Sequence, residues 1–221
     1  MAAVRTHGLR CALTGGLAIA AHLQINGRPV ERRRLNDIDL VVESFDAIPE
    51  SLASSFLLHH VHPDALEGKI LIQLVDETHR VRVDVFRAFG NQLSRASAIG
   101  GDTGALDVVS VEDLVARNIS FVCGRLRLGR SVDPKHVTAF TQLRGLGRPD
   151  QLAMAWADHR QEVPGSLDDA AGEATRLLSR RPDLIISDQY SPDIVVCRRC
   201  RARGSLRPAP AENIVRVLGY C

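Results

Sequence analysis

The stretch Arg33-Arg34-Leu35-Asn36-Asp37-Ile38-Asp39-Leu40-Val41-Val42, RRLNDIDLVV, sets two carboxylates two residues apart at the head of an apolar run. Alternate side chains of a strand point to opposite faces, so Ile38, Leu40 and Val42 share one side while Asp37 and Asp39 share the other. The apolar side can be buried, and the two acids then project together. Carboxylates held this close repel and raise one another's pKa unless a cation lies between them. A divalent metal removes that cost.

A second stretch repeats the logic. In Val81-Arg82-Val83-Asp84-Val85-Phe86 (VRVDVF) the valines form an apolar face and Asp84 points away from it. If this strand pairs beside the first, Asp84 joins Asp37 and Asp39. Three oxygen ligands with open coordination positions suit Mg²⁺, which takes a few carboxylates plus water and substrate phosphates. Two such ions, about 4 Å apart, can activate an attacking oxygen and stabilise a leaving pyrophosphate.

Upstream, the apolar segment Leu9 to Leu13 runs into Thr14-Gly15-Gly16 and then an Ala/Leu-rich helix closed by Asn26-Gly27. Strand, glycine turn, helix and returning strand bring the turn and the acids to one edge of a sheet. Glycines there let the backbone approach a phosphate closely, and the helix N-terminus offers free N–H groups. Residues 45–56 read as a further helix with Pro49 near its start. Ile70 to Val75 reads as a central strand joined to Val81–Phe86 by a tight connection at 76–79. From Ser110, a plausible cap, the pattern turns helical, with segments beginning near Ser110, Pro134, Asp150 and Leu167. The expectation is a mixed α/β core over 1–109, a helical region over 110–182 that completes a cleft, and an Arg/Cys-rich tail over 183–221.

The 221 residues are 45% hydrophobic and 24% charged, enough to bury a core, and the formal net charge of +2 pushes the protein toward neither nucleic acid nor membrane. Only Lys69 and Lys135 are lysines; arginine carries the basic charge. No secretory signal and no bilayer-length apolar run is evident, which predicts a cytoplasmic protein without a membrane partner. Five cysteines in that setting do not imply a disulfide framework, and Cys11 and Cys123 read as small core hydrophobes.

In the tail, Cys197 and Cys200 have the spacing of half a zinc knuckle, with Cys221 as a candidate third thiolate; a fourth ligand is missing. Five arginines surround them (Arg198, Arg199, Arg201, Arg203 and Arg207), a cluster that could touch phosphates or lie in solvent. His59, His60 and His62 crowd together without a spaced carboxylate and read as edge or loop residues.

The ordered set LTGGLAIAAHL (13–23), RRRLNDIDLVVE (32–43), VRVDVF (81–86) and VVSVEDLVARNI (108–119) resembles the DNA polymerase β-like nucleotidyltransferase superfamily, in particular AbiEii-type and small stand-alone bacterial members. The resemblance covers about residues 9 to 145. It implies a mixed, mostly antiparallel sheet flanked by helices, with Gly15 and Gly16 on the nucleotide phosphates. It further implies Asp37 and Asp39 on two Mg²⁺ ions, with Asp84 as third ligand and base for the acceptor hydroxyl. Arg33 and Lys135 stand where such proteins often place cations near the phosphates. The implied reaction moves an NMP from an NTP, such as ATP, to a hydroxyl of RNA (tRNA included), of a protein or of a small molecule. A toxin paired with an antitoxin is one setting for it. Relatives often carry a lysine where this chain has Asn118; Arg117, Arg125 or Lys135 are the substitutes at hand. That departure leaves a second reading, a catalytically silent nucleotide- or nucleic-acid-binding module of the same fold.

Overall fold

The computed structural model describes residues 10–30, 37–44, 57–59, 71–76, 81–99 and 107–187. Seven strands are present among them: β1 Cys11–Thr14, β2 Asp37–Val42, β3 Leu57–His59, β4 Leu71–Asp76, β5 Val81–Arg87, β6 Ser97–Ala98 and β7 Asp107–Val108. The helices are α1 Gly15–Ile25, α2 Val111–Arg127, α3 Pro134–Leu143, α4 Pro149–His159 and α5 Leu167–Arg180. This is an α/β protein built on one mixed sheet of order β3-β4-β5-β2-β1-β7-β6. β2 runs parallel to β5, and β1 parallel to β7; the other four neighbour pairs are antiparallel. The expected helix over 45–56 lies outside the described residues, as do residues 77–79 of the expected 76–79 connection, His60, His62, Arg33 and the cysteine tail; Asp76 instead ends β4. His59 falls on β3, the edge strand of the sheet.

Local chemistry sets the boundaries. Valine at alternate positions favours the extended chain of β5. Ser110 caps α2 by accepting from the Asp113 N–H, Asp133 caps α3 ahead of Pro134, and Ser166 with Asp169 forms a reciprocal capping box on α5.

The sheet departs from the simple picture of one apolar and one acidic face. Leu40, Val41 and Val42 are all fully buried, although Val41 shares a face with Asp37 and Asp39. Helices cover that end: Val41 and Ala12 pack in one core with Val115, Ile119 and Phe140. The acids therefore sit beyond the roofed half of that face, Asp37 and Asp39 half-buried and Asp84 buried. Cys11 and Cys123 are buried free thiols, and burial pushes both up, Cys123 to about 11.

Asp113 anchors the roof. It is wholly buried, and its carboxylate accepts from Arg95 Nε at 3.0 Å and Nη2 at 2.6 Å, from Ser110 Oγ at 2.7 Å, and lies 2.9 Å from His159 Nε2. Arg95 also reaches Asp158 Oδ2 at 2.7 Å. The start of α2, the end of α4 and the segment after β5 are thus fixed to one buried ion cluster. At the other side, Arg28 Nη1 donates to Gln142 O at 2.9 Å, so the chain just past α1 is held to the end of α3. No helix among the described residues is long and apolar enough to cross a membrane.

Candidate metal centre

The parallel pairing of β2 and β5 sets Asp37 opposite Arg82 and Asp39 opposite Asp84. Residues directly opposite share a face, as do residues two apart, so these four side chains form one patch. Each acid offers a carboxylate oxygen within 4.8 Å of the others, the one such cluster among the described residues. The predicted convergence of Asp37, Asp39 and Asp84 is present.

Arg82 is the member that sequence reasoning missed. Its Nε lies 2.9 Å from Asp84 Oδ1, its Nη2 donates to Asp84 Oδ2 at 2.9 Å, and Nη2 also pairs with Asp37. The signal was available: Arg82 precedes Asp84 by two residues and must lie on the same face. A single guanidinium serves two of the three acids. Asp39 is left among like charges, and its pKa is pushed up to about 7, first by burial and then by the charges of Asp37 and Asp84; Arg117 and the Gly16 N–H oppose the rise.

The diglycine turn reaches the acids directly. Gly15 has φ +63°, and a Cβ built there would lie 1.8 Å from Asp39 Oδ2, so only glycine fits. The next N–H, from Gly16, acts on the same carboxylate and favours its ionised form. Thr14, which pairs with Asp39 in the register, is buried and its Oγ1 has no hydrogen-bond partner among the described residues.

Of the three cations considered for the altered helix position, the fold brings Arg117 to the acids. Its guanidinium lies 4.8 Å from the Phe86 ring centroid and 5.4 Å from that of Phe89, with Nη1 buried and unpartnered among the described residues. Burial holds its pKa below the usual arginine range, and the charge of Asp39 works against that shift. Arg125 lies two turns further along and donates from Nε to Ser131 O. Lys135 is exposed in the first turn of α3, its backbone N–H on Asp133 Oδ1 at 2.8 Å. Asn118 is buried, with its amide nitrogen 3.5 Å from His136 O.

The donor set fits a hard divalent cation. Three carboxylate groups gather about one point, each with an oxygen within 4.8 Å of the others, and hard oxygen ligands select Mg²⁺ or Mn²⁺ over softer metals. Two buried polar atoms without a hydrogen-bond partner among the described residues, Thr14 Oγ1 and Arg117 Nη1, belong to the register partner of Asp39 and to the arginine whose charge acts on it, and are of the kind that a phosphate satisfies.

No family model and no curated protein sequence matches the chain. Among solved structures, it is similar to an antigenic nucleotidyltransferase-like protein from Paracoccidioides brasiliensis, with 17% identity over 85% of this chain and 90% of that one, at a TM-score of 0.42. That likeness is loose.

Proposed function

We propose that this chain is a metal-dependent nucleotidyltransferase, moving an NMP from an NTP to a hydroxyl acceptor and releasing pyrophosphate. The observation that carries the reading is the convergence of Asp37, Asp39 and Asp84 within 4.8 Å, beside the diglycine turn and Arg117. In this reading the three acids hold Mg²⁺, which when bound neutralises triphosphate charge and favours departure of pyrophosphate. The N-terminus of α1, Thr14 Oγ1 and Arg117 bind the phosphates, with Arg33 and Lys135 as further sources of positive charge. Asp84, paired with Arg82, takes the proton of the attacking hydroxyl as the hydroxyl oxygen bonds to the α-phosphorus. The α–β bridge bond breaks, and the electron pair leaves with pyrophosphate. Positioning and charge do most of the work. The acceptor classes proposed are RNA, including tRNA, a protein hydroxyl and a small molecule; in a toxin setting an antitoxin is the partner, and a tail zinc on Cys197, Cys200 and Cys221 is an added structural proposal.

One observation favours the second reading, a silent binding module: Arg82 bonds two of the three acids and competes for their oxygens. Pyrophosphate release separates the two. With Mg²⁺, NTPs and total RNA as acceptor, the enzyme releases pyrophosphate, and Asp84→Asn lowers the rate by roughly 10²–10⁴-fold. NTP binding with no release from any of the three acceptor classes supports the silent module.

A further inference from the structure

Helix α2 is buried along most of its circumference, with residues 118–120, 122, 123 and 126 all inside. Arg117, Phe121 and Arg125 stand at i, i+4 and i+8 along one side of it: Arg117 and Arg125 half-buried, Phe121 at 39% exposure. Arg117 is the end that faces Asp39. Phe121 follows one turn, about 6 Å, along the same face. Its ring is fixed rather than loose. The His136 ring from the first turn of α3 lies 4.6 Å away, tilted by 51°, and the Arg125 guanidinium lies 5.6 Å from the Phe121 centroid. A lone exposed phenylalanine needs no explanation. Here the ring stands outside the core, is braced by a second ring, and has a cation on each side along one stripe that starts at the acids.

Resting on the nucleotidyltransferase reading, we infer that Phe121, braced by His136, is the stacking platform for the base of the incoming nucleotide. With the phosphates at Arg117 and the acids, the base lies along the stripe over Phe121, and Arg125 flanks it. The arginines at both ends match a ligand that is anionic and aromatic, which an apolar peptide is not. Stacking on a ring is tolerant of base identity because each base presents a π-face.

The test compares two probes by calorimetry in Mg²⁺: ATP, and inorganic tripolyphosphate, which lacks the base. Wild-type protein is expected to bind ATP the more tightly. Phe121→Ala should weaken ATP by roughly 5- to 100-fold and leave tripolyphosphate unchanged, and Phe121→Trp should restore ATP binding. Melting curves accompany each variant. Unchanged ATP affinity in Phe121→Ala overturns the platform while leaving the nucleotidyltransferase reading intact. Equal loss of both probes also overturns it, since that pattern marks a distorted fold. Wild-type protein that binds neither probe overturns both.

Discussion

Alanine at Gly15 is expected to weaken divalent-cation binding by at least about 10-fold and to lower stability by ~1–2 kcal/mol. The strain and the damage to the site have separate causes. Gly15 sits at φ +63°, where an L side chain is strained, and its added Cβ would lie 1.8 Å from Asp39 Oδ2. That carboxylate must then swing off the patch it shares with Asp37 and Asp84. Gly27 supplies the control: its φ is +65°, yet nothing lies within 4 Å of the added carbon. Gly27→Ala should carry the same strain and bind Mn²⁺ normally. Melting curves and Mn²⁺ titration of both variants distinguish the effects. Normal binding by Gly15→Ala would contradict the geometry given for the turn.

Removing the Asp113 carboxylate should produce the largest loss of stability outside the site. Asp113→Ala leaves half-buried Arg95 with Asp158 in place of two acidic partners and deprives Ser110 and the buried His159 of their shared acceptor. Breaking one partner of a buried ion pair costs roughly 3–5 kcal/mol, about 6–20 °C in melting temperature for a chain of this size. The effect depends on pH in a definite sense. Burial alone would raise the Asp113 pKa, but hydrogen bonds from His159, Arg95 and Ser110 outweigh it and hold the group below the usual carboxylate range. A depressed carboxylate contributes stability that is present above its unfolded pKa, near 4, and is lost as pH falls through its folded value. Urea unfolding should therefore show a wide gap between wild type and Asp113→Ala at pH 7 that narrows below about pH 4. A gap that stays constant with pH would remove the ionic account of this cluster.

The acids were legible because a period-two pattern states which residues share a face, and both DIDLVV and VRVDVF carry it over enough residues to be unambiguous. Their adjacency was not. β2 and β5 are far apart in the chain and pair in parallel, a long-range choice that no local pattern encodes. Arg82 was passed over because a charged residue beside an alternating run reads as solvent-facing, although the same alternation places it among the acids. Arg117, Arg125 and Lys135 were equal candidates for the cation absent at position 118, and the choice of Arg117 depends on which way α2 is turned, since one residue along a helix turns the side chain by about 100°. Burial of Val41 was invisible since it depends on helices packing over part of a face. Two-residue strands such as β6 and β7 are too short to carry any period. By contrast, the Ser110 cap was readable because capping is chemistry among near neighbours.

The central claim is that Asp37, Asp39 and Asp84 act as one cation site. Mn²⁺ titration followed by electron paramagnetic resonance, on wild-type protein and on Asp37→Asn, Asp39→Asn and Asp84→Asn, tests it most directly. The account predicts saturable binding in the wild type, weakened by roughly 10-fold or more in every one of the three variants. Variants that retain wild-type affinity, or a wild type that binds no Mn²⁺, would contradict it.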